Sequence, residues 1–435
     1  MKPVNIGLLG LGTVGGGTAA VLQDNAAEIS RRLGREVRIS AVCDLSEEKA
    51  RQTCPSAAFV KDPFELVARE DVDVVVELFG CTGIAKDAVL KAIENGKHIV
   101  TANKKLLAEY GNEIFPLAEE KNVMVQFEAA VAGGIPIIKA LREGLAANRI
   151  RSIAGIINGT SNFILSEMRE KGSAFADVLK EAQALGYAEA DPTFDIEGHD
   201  AGHKITIMSA LAFGTPVNFA ACHLEGISKL DSRDIKYAEE LGYRIKLLGI
   251  TRKTDKGIEL RVHPTLLPES RLLANVNGVM NAVRVNADMV GETLYYGAGA
   301  GALPTASAVV ADIIDIARLI DADTGHRVPH LAFQPSQVQA QTILPMDEIV
   351  SSYYLRVQAQ DKPGVLGRIA NLLADQNVSI EALIQKGVVN GDTAEIVILT
   401  HSTVEKHVKA AIAGIESMDT VNGKVTMIRM ESLND

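Results

Sequence analysis

Short apolar segments alternate with helical patterns along the first third of the chain. Five nearly continuous apolar runs occur there, namely VNIGLLG, VRISAVCD, VDVVVEL, KHIVTA and NVMVQFEA. Helical patterns lie between them, for example from Val14 to about Leu33 and from Ile84 to Asn95. Strands that are apolar along their length and alternate with helices are typical of a parallel sheet covered on both faces. Residues 1–134 are therefore predicted to form a doubly wound, Rossmann-like α/β domain.

The rest of the chain shows two further patterns. Residues 135–346 mix helices with strands such as RIRSIAGIIN, RIKLLGIT and GIELRVHP, which predicts an α+β domain. Its last part, about 303–330, is a candidate to pack back on the first domain. The polar segment HLAFQPSQVQAQTILPMDE contains two prolines and predicts a linker. Residues 347–435 follow the order strand, helix, strand, strand, helix, strand, which predicts a ferredoxin-like βαββαβ domain.

The composition is that of an ordinary soluble protein. The 435 residues are 47% hydrophobic and 23% charged, which excludes a disordered or fibrous chain. A formal net charge of -11 without a cluster of basic residues argues against a nucleic-acid partner. No segment approaches the ~20 apolar residues of a membrane span. The four cysteines form no C-x-x-C pair, so free thiols in a reducing cytoplasm are expected.

The first chemical motif, GLLGLGTVGGG, directly follows the first predicted strand. It places Gly10, Gly12 and Gly15 in a G-x-G-x-x-G pattern at the start of a helix. Such glycines permit a tight turn and the close approach of a pyrophosphate, and the helix N-terminus supplies amide donors. The motif predicts binding of NAD or NADP.

The choice between these two cofactors depends on the end of the second strand. Asp44 lies where an acid usually accepts hydrogen bonds from the ribose hydroxyls. A 2′-phosphate would face this carboxylate, so Asp44 favours NAD over NADP. Lys49 and Arg51 nearby would weaken that preference, and both cofactors therefore stay open.

Two lysines belong to the next two motifs. In IVTANKKLLAEYG, Lys104 follows the fourth strand at the edge of the sheet where ligands bind, and it is suited to polarise a carbonyl oxygen or hold an anion. The alternative, a solvated lysine at a helix start, fits Lys105 better. In DIEGHDAGHKITIMSALAFG, a helix is predicted from about Asp195 through Leu211, with Asp200 and Lys204 on one face. Partial burial would lower the pKa of such a lysine, as a proton-transferring group requires.

The same stretch contains an apparent zinc pattern. HDAGH places His199 and His203 at the spacing of the H-E-x-x-H motif of zinc hydrolases. Asp is one methylene shorter than the Glu of that motif, and Gly202 weakens the helix that would hold both imidazoles. Histidines of the core or the surface are the default interpretation, and a zinc hydrolase is kept as an alternative.

With these motifs in order, the chain resembles the long bacterial homoserine dehydrogenases that carry a C-terminal ACT regulatory domain. The resemblance lies in GLGTVG, VTANKKLLA, FEAAVAGGIPII, INGTSNFIL, GYAEADPTFDIEGHDAGHK and YGAGAGALPTASAVVADI. It implies NAD(P)-dependent interconversion of L-homoserine and L-aspartate 4-semialdehyde, on the route to threonine, methionine and isoleucine. It also implies that residues 135–346 bind the substrate and mediate assembly into a homodimer or homotetramer.

The resemblance further implies roles for single residues. Lys204 is similar to the family's proton donor, and Lys104 to its second active-site lysine. The positions implied for substrate binding are Gly159, Thr160, Tyr187, Glu189, Asp195 and Asp200. Those implied for cofactor binding are Gly10, Gly12, Thr13, Val14, Gly15, Asp44, Cys81, Thr101, Lys104 and Gly301. Those implied for a structural monovalent-cation (sodium) loop are Glu128, Val131, Gly133 and Ile135. Cys81 departs from the Gly-Gly of many relatives and would narrow the cofactor groove slightly.

The C-terminal segment VQAQDKPGVLGRIANLLADQNVSIEALIQ resembles an ACT domain, a module that often binds amino acids near such a DKPGVL turn. The position of the enzyme in its pathway implies inhibition by threonine. A purely structural dimerisation module is the alternative.

Two other functions compete with the dehydrogenase. An acylating semialdehyde dehydrogenase would handle the same aldehyde with Cys81 as its nucleophile. A non-catalytic amino-acid sensor would retain nucleotide binding without turnover.

Overall fold

The computed structural model describes residues 2–323, 325, 327–390 and 392–434. The chain forms two compact units, each assembled from three separate stretches. The first contains Met1–Gly159, Asp200–Cys222 and Val279–Gln341, and the second contains Thr160–His199, His223–Gly278 and Thr342–Asp435. The domain boundaries predicted from the sequence stay a prediction.

The secondary structure is numbered in chain order. The strands are β1 (Val4–Leu9), β2 (Val37–Cys43), β3 (Ala58–Val60), β4 (Val74–Glu77), β5 (His98–Thr101), β6 (Val125–Gln126), β7 (Ile150–Ile156), β8 (His223–Leu224), β9 (Tyr243–Thr254), β10 (Gly257–Pro268), β11 (Met280–Ala287), β12 (Gly291–Ala298), β13 (Val350–Gln360), β14 (Ile380–Asn390), β15 (Thr393–Thr400), β16 (Thr403–Val404) and β17 (Thr426–Met430). The helices are α1 (Thr13–Asp24), α2 (Ala26–Leu33), α3 (Glu47–Thr53), α4 (Pro63–Val67), α5 (Gly83–Glu94), α6 (Lys104–Glu120), α7 (Ile137–Lys139), α8 (Gly159–Lys171), α9 (Phe175–Ala184), α10 (Thr193–Ile196), α11 (His199–Phe213), α12 (Ser232–Glu240), α13 (Ala302–Leu319), α14 (Val365–Asp375) and α15 (Glu405–Glu416).

A six-stranded parallel sheet is the centre of the first unit. Its strand order is β3-β2-β1-β4-β5-β6, so the order reverses on either side of β1. Apolar residues of β1, β4 and β5 are buried because helices cover the sheet, which explains why these strands are apolar along their length. The carboxyl ends of β1 and β4 lie side by side at the reversal, where open sheets of this kind bind ligands. The predicted fold class is confirmed.

Local differences from the predicted elements have simple causes. β3 was not predicted because its three residues form a short edge strand on β2, too brief to show a pattern. The helix expected from residue 14 to 33 is two helices. Asn25 lies between them, as the C-cap of α1 and the N-cap of α2. The helix expected over residues 195–211 is also divided. Gly198 has a φ of +84° and separates α10 from α11.

The first unit also contains a small antiparallel sheet and a late helix. β11 pairs with both β7 and β12, and neither β11 nor β12 was among the predicted strands. The long helix α13 packs with its apolar face into the same core as β1, beside Val4, Ile6 and Leu8. The first residue of α13, Ala302, lies against Gly17 of α1. A Cβ placed on Gly17 would be only 2.6 Å from the carbonyl oxygen of Ala302. This glycine therefore allows the close packing of two helices.

The second unit is built on a long hairpin and the C-terminal module. β9 and β10 pair antiparallel along their whole length. Near its C-terminal end, at Thr265 and Leu266, β10 pairs in parallel with β17, and the sheet continues in the order β17-β13-β15-β14. Helices α14 and α15 bury one face of these strands around Tyr353, Ile369 and Ile398. The predicted βαββαβ order is confirmed, but the pairing of β17 with β10 was not predicted.

Buried ion pairs reinforce the junction between β10 and β17. Arg261 of β10 is fully buried, and its guanidinium donates to Glu259 and, over 2.6 Å, to Glu431 just after β17. Glu431 also accepts a hydrogen bond of 2.9 Å from Arg252 of β9. Two arginines and two glutamates thus neutralise one another away from water, which is the condition for burying such charges.

No helix among the described residues is long and apolar enough to cross a membrane.

The packing of α1 on α13 gives a first prediction. Gly17→Ala is expected to lower the free energy of unfolding by about 1–3 kcal/mol, because the added methyl meets a backbone carbonyl that cannot move freely. Gly16→Ala is the matched control, since its methyl would lie 3.8 Å from the nearest atom and alanine favours a helix by up to about 1 kcal/mol. Thermal unfolding of both variants measures the difference, and equal midpoints would contradict the packing argument.

Candidate active site

The glycine-rich turn after β1 has the geometry of a dinucleotide-binding loop. Gly10 has a φ of +93°, a conformation that favours glycine, and a Cβ there would lie 3.0 Å from the carbonyl oxygen of Leu78. A Cβ on Gly15 would lie 2.0 Å from the carbonyl oxygen of Gly10, so α1 could not approach the strand with any side chain there. Gly12 precedes α1 and has open space over its Cα. The turn therefore fits a bound pyrophosphate, with Thr13 and Val14 in the first helical turn.

Asp44, just after β2, stabilises this turn by accepting backbone hydrogen bonds. Its carboxylate accepts the backbone N–H of Leu11 over 2.7 Å and that of Ser46 over 3.0 Å. The prediction that Asp44 binds the ribose hydroxyls is untested, but the structure gives the residue a second role. Nearby, the Arg51 guanidinium donates to Glu47 over 3.0 Å, so this cation already has an anionic partner.

Asp200 brings both predicted lysines together in the first unit. Its Oδ1 lies 3.0 Å from Nζ of Lys104, and its Oδ2 lies 2.7 Å from Nζ of Lys204. Oδ2 also accepts a hydrogen bond of 2.9 Å from Asn158, and Lys204 donates to the carbonyl oxygen of Ile157 over 2.7 Å. One carboxylate thus orients two ammonium groups, and the segment just after β7 supplies further hydrogen bonds to this cluster.

Local sequence explains how these side chains reach each other. Asp200 and Lys204 are one turn apart on α11, as the i, i+4 spacing predicted. Lys104 is the first residue of α6, and Asn103 caps that helix by accepting the backbone N–H of Leu106. The contact between Lys104 and Asp200 joins positions far apart in the sequence, and the motifs alone did not predict it.

The site is buried unevenly, which distinguishes the two lysines. The side chain of Asp200 is 5% exposed and that of Lys204 is 10% exposed, whereas that of Lys104 is 34% exposed. Burial by itself would raise the pKa of the Asp200 carboxyl. The charges of Lys204 and Lys104 and the hydrogen bonds from Lys204 and Asn158 outweigh burial and hold that pKa well below its usual range. Asp200 therefore stays anionic at neutral pH.

A second acidic residue near this edge was missed by the sequence analysis. Glu77 ends β4 fully buried and accepts hydrogen bonds from the backbone of Phe79 and from the hydroxyl of Thr101. Burial raises the pKa of Glu77 to about 7, although hydrogen bonds from Thr101, Phe79 and Asn103 oppose that rise. The available signal was an acid closing an otherwise apolar strand, VVVE.

The other residues predicted for the cofactor lie on loops of the first unit. Thr101 is buried at the end of β5, and Cys81 is exposed after β4. The carbonyl oxygen of Cys81 accepts a hydrogen bond from the side-chain amide of Asn103 over 2.9 Å. Gly301 has a φ of +120° just before α13, which explains why a glycine occupies the position.

The residues predicted for substrate binding divide between the two units. Asp200 and Gly159 belong to the first unit, and the other four belong to the second unit, namely Thr160, Tyr187, Glu189 and Asp195. In the second unit, the Thr160 hydroxyl donates to the carbonyl oxygen of Tyr187 over 2.7 Å. The carbonyl oxygen of Glu189 accepts a hydrogen bond from Gln183, and the Glu189 side chain is exposed. Asp195 lies in the short helix α10, not at the start of α11 as predicted.

The predicted cation loop contains a buried acid and a tight backbone turn. Both carboxylate oxygens of Glu128 accept backbone N–H groups over 2.8 Å, from Ile138 and Lys139. Ala132 and Gly133 both have positive φ, of 57° and 50°, so the backbone turns sharply between Val131 and Ile135. A carboxylate beside a turn of backbone carbonyls offers the oxygen ligands that hard cations prefer. The residues fit the prediction, which stays untested.

The two histidines of the apparent zinc motif pack against aromatic rings. His199 stacks on Phe194, with ring centroids 6.3 Å apart, and His203 lies 4.1 Å from the ring of Phe219. Among the described residues, no group of three or more His, Cys, Asp or Glu side chains is placed to hold a metal ion.

Known protein families match nearly the whole chain. The model for homoserine dehydrogenase matches residues 136–314, that for the homoserine dehydrogenase NAD-binding domain matches 10–128, and that for the ACT domain matches 353–417. A homoserine dehydrogenase of Neisseria gonorrhoeae is 89% identical over 435 residues and covers 100% of both chains. One of Pseudomonas aeruginosa is 56% identical over 437 residues, again with 100% of both chains covered.

Solved structures give the same result. The crystal structure of a homoserine dehydrogenase from Thiobacillus denitrificans has a TM-score of 0.96 and 62% identity, covering 100% of this chain and 99% of that chain. A hyperthermophilic archaeal homoserine dehydrogenase in complex with NADPH has a TM-score of 0.63 and 31% identity, covering 74% of this chain and 100% of that chain. The chain therefore belongs to the homoserine dehydrogenase family of NAD(P)-dependent oxidoreductases.

Proposed function

We propose that the chain interconverts L-homoserine and L-aspartate 4-semialdehyde, with Lys204 as the residue that transfers the proton. The supporting observation is the buried carboxylate of Asp200, which holds the Nζ atoms of Lys104 and Lys204 within 3.0 Å of its two oxygens. Two aligned ammonium groups favour a reaction in which negative charge develops on a substrate oxygen. Family membership favours this reaction over the zinc hydrolase and the Cys81-dependent acylating enzyme.

For this geometry we propose the following reaction. When bound, NAD(P)H supplies the hydride that the aldehyde carbon accepts. The carbonyl electron pair then moves to the oxygen, and the Lys204 ammonium gives that oxygen a proton to complete the alcohol. In the direction of homoserine oxidation, the neutral Lys204 amine takes the proton from the hydroxyl. Lys104 stabilises the same developing charge, and Asp200 fixes the direction of both side chains.

Binding of the substrate is assigned by resemblance to family positions. The α-ammonium of the substrate requires acids, and we assign it to Glu189 and Asp195. The α-carboxylate requires hydrogen-bond donors, and we assign it to the start of α8 at Gly159 and Thr160, beside Tyr187. The exposed carboxylate of Glu189 and the hydrogen bond that fixes Thr160 on Tyr187 support these assignments.

For the cofactor we propose a preference for NAD over NADP. The Asp44 carboxylate at the end of β2 would repel a 2′-phosphate. Arg51, which could otherwise bind that phosphate, donates to Glu47 in the structure. Thr13, Val14, Thr101, Cys81 and Gly301 are assigned to the remaining surface of the cofactor by resemblance. A sodium ion held by Glu128 and the carbonyl groups of the following turn is proposed as a structural element.

For the C-terminal module we propose that threonine binds and inhibits. The DKPGVL turn contains Gly364, which has a φ of +88° and directly precedes α14. Just before it, the Asp361 carboxylate accepts a hydrogen bond from Gln385 on β14. Feedback by threonine would place the enzyme in the synthesis of threonine, methionine and isoleucine.

The ranges matched by the family models support three domains over residues 1–134, 135–346 and 347–435.

We also propose that the protein assembles as a homodimer or homotetramer. β12 is at the end of the three-stranded order β12-β11-β7 in the first unit. Its neighbourhood exposes large apolar side chains, with Met289 80%, Val290 50% and Tyr296 60% exposed. An edge strand with exposed apolar residues is suited to pair with a second copy of the chain.

The lysine assignment is tested by substitution. Lys204→Ala is expected to lower kcat for homoserine oxidation by roughly 100-fold or more, because the proton acceptor is lost while the cofactor site remains. Lys104→Ala is expected to lower kcat/KM by roughly 10-fold or more, because one of two stabilising charges is lost. Lys105→Ala is the control, since this adjacent lysine is half exposed and is expected to leave turnover unchanged. Wild-type turnover of Lys204→Ala would refute the proton-transfer role.

The cofactor preference is tested by comparing kcat/KM for NAD and NADP. The wild-type enzyme is expected to favour NAD by about tenfold, equivalent to about 1.4 kcal/mol of repulsion at the phosphate. Glu47→Ala is expected to raise kcat/KM with NADP, because Arg51 becomes available to the phosphate. Glu48→Ala removes the same charge one residue away, where the partner is Gln52, and serves as the control. Identical effects of the two variants would refute the role of Arg51.

Regulation is tested on the full-length enzyme with millimolar threonine in the homoserine assay. Wild-type activity is expected to fall, and Gly364→Val is expected to raise the inhibitory concentration about tenfold, because a β-branched residue disfavours the left-handed turn. Gly423→Val is the matched control, because this glycine also has a positive φ, of 75°, in a different turn of the module. Unchanged wild-type activity in threonine would leave only the structural role for the module.

A further inference from the structure

A buried carboxyl at the end of β4 connects a loop of the cofactor site with the helix that carries Lys104. We propose that Glu77 is a positioning residue, which through Thr101 and Asn103 fixes both the loop after β4 and the first turn of α6. The inference rests on the proposed function, because it assumes that Lys104 and this loop serve the dehydrogenase reaction.

The carboxyl of Glu77 has two different partners on its two oxygens. Oε1 accepts the backbone N–H of Phe79 over 2.8 Å, and Oε2 accepts the hydroxyl of Thr101 over 2.6 Å. Glu77 is fully buried, and Thr101 is 1% exposed, so water does not compete for these bonds. In its ionised form, Glu77 therefore holds the end of β5 and the start of the loop after β4 by two hydrogen bonds.

The hydrogen bonds continue from Thr101 through Asn103. The Oγ1 atom of Thr101 accepts the backbone N–H of Asn103 over 3.0 Å. The side-chain amide of Asn103 makes two hydrogen bonds, one as a donor and one as an acceptor. Its Nδ2 donates to the carbonyl oxygen of Cys81, and its Oδ1 accepts the N–H of Leu106 in the first turn of α6. The path thus closes a ring from Glu77 through α6 back to the loop that contains Phe79 and Cys81.

This ring of hydrogen bonds contacts two parts of the proposed site, the glycine-rich turn at Gly10 and the lysine at Lys104. The loop after β4 packs closely against Gly10. A Cβ placed on Gly10 would lie 3.0 Å from the carbonyl oxygen of Leu78 and 3.3 Å from the ring of Phe79. Lys104 follows Asn103 directly and extends to Asp200. A shift of the loop or of the helix start by a fraction of an ångström would therefore change the cofactor groove and the lysine together.

A carboxylate is suited to this position because both of its oxygens accept hydrogen bonds. Glutamine has one acceptor oxygen, so when that oxygen accepts the N–H of Phe79 its NH₂ group faces Thr101, and the Thr101 hydroxyl loses its acceptor. Glu77→Gln therefore keeps the size of the side chain and disrupts the path at Thr101. Thr101→Val removes the same link from the other side and keeps the β-branched shape. Thr101→Ser restores the hydroxyl.

The experiment measures the dissociation constant of NADH in the absence of substrate by quenching or transfer of its fluorescence, and then kcat and KM for homoserine. Glu77→Gln and Thr101→Val are each expected to weaken NADH binding about tenfold and to lower kcat by a similar factor. Thr101→Ser is expected to recover most of the loss. The double variant is expected to be no worse than either single variant, because both interrupt one path.

The matched control is at the opposite end of the same strand. The Asp73 carboxylate accepts the backbone N–H of Asn5 over 2.8 Å beside the start of β4, so Asp73→Asn removes a strand-end carboxylate far along the strand from the cofactor edge. It is expected to change the unfolding temperature but not NADH binding. Wild-type NADH binding and kcat in both Glu77→Gln and Thr101→Val, with only a lower unfolding temperature, would overturn the proposal.

Two complications are resolved by the same measurements. If Glu77→Gln does not fold, Asn103→Ser takes its place, because it keeps an oxygen to cap α6 and removes the hydrogen bond to the carbonyl oxygen of Cys81. Wild-type NADH binding and kcat in Asn103→Ser would then overturn the proposal. If the wild-type protein binds NADH but does not oxidise homoserine, the proposed function fails. The comparison of NADH binding among the variants then still tests whether Glu77 positions the cofactor site.

Discussion

The candidate active site depends on one buried negative charge, that of Asp200, which is paired with two positive charges. Without Asp200, the ammonium groups of Lys104 and Lys204 would repel each other and would be expensive to keep near the protein interior. With it, the three side chains together carry a net charge of +1. β7 ends at the partners of Lys204, and α6 begins at Lys104.

At several strand ends of the first unit, carboxylates hold neighbouring segments by accepting backbone N–H groups. Asp44 after β2 accepts the N–H of Leu11, Glu77 at the end of β4 accepts that of Phe79, and Glu128 after β6 accepts those of two residues in α7. Loops that bind a cofactor must leave their own backbone groups accessible, so they cannot be stabilised by regular pairing. Acids at the strand ends stabilise these loops instead, by accepting hydrogen bonds from their backbone N–H groups.

The sequence predicted those features that depend on local pattern, and it missed those that depend on distant partners. The alternation of apolar strands with helices predicted the parallel sheet, and the i, i+4 spacing predicted the pair of Asp200 and Lys204. The contact of Lys104 with Asp200 spans 96 positions, and no periodicity reports it. β3 was too short to show a pattern, and the break at Gly198 was hidden inside an otherwise helical stretch. Glu77 resembled the polar end of a strand, because a single acid does not reveal whether its environment is water or protein.

The pairing of β17 with β10 has a consequence for the synthesis of the protein. β10 leaves the ribosome more than 150 residues before its parallel partner, since Leu266 pairs with Met430. Until then, Arg261 lacks one of its two anionic partners, and half of a long strand presents an unpaired edge. The second unit therefore cannot complete its sheet during translation of its first segments. Its assembly is a late, nearly post-translational event, in which the C-terminal module completes the sheet to which the long hairpin belongs.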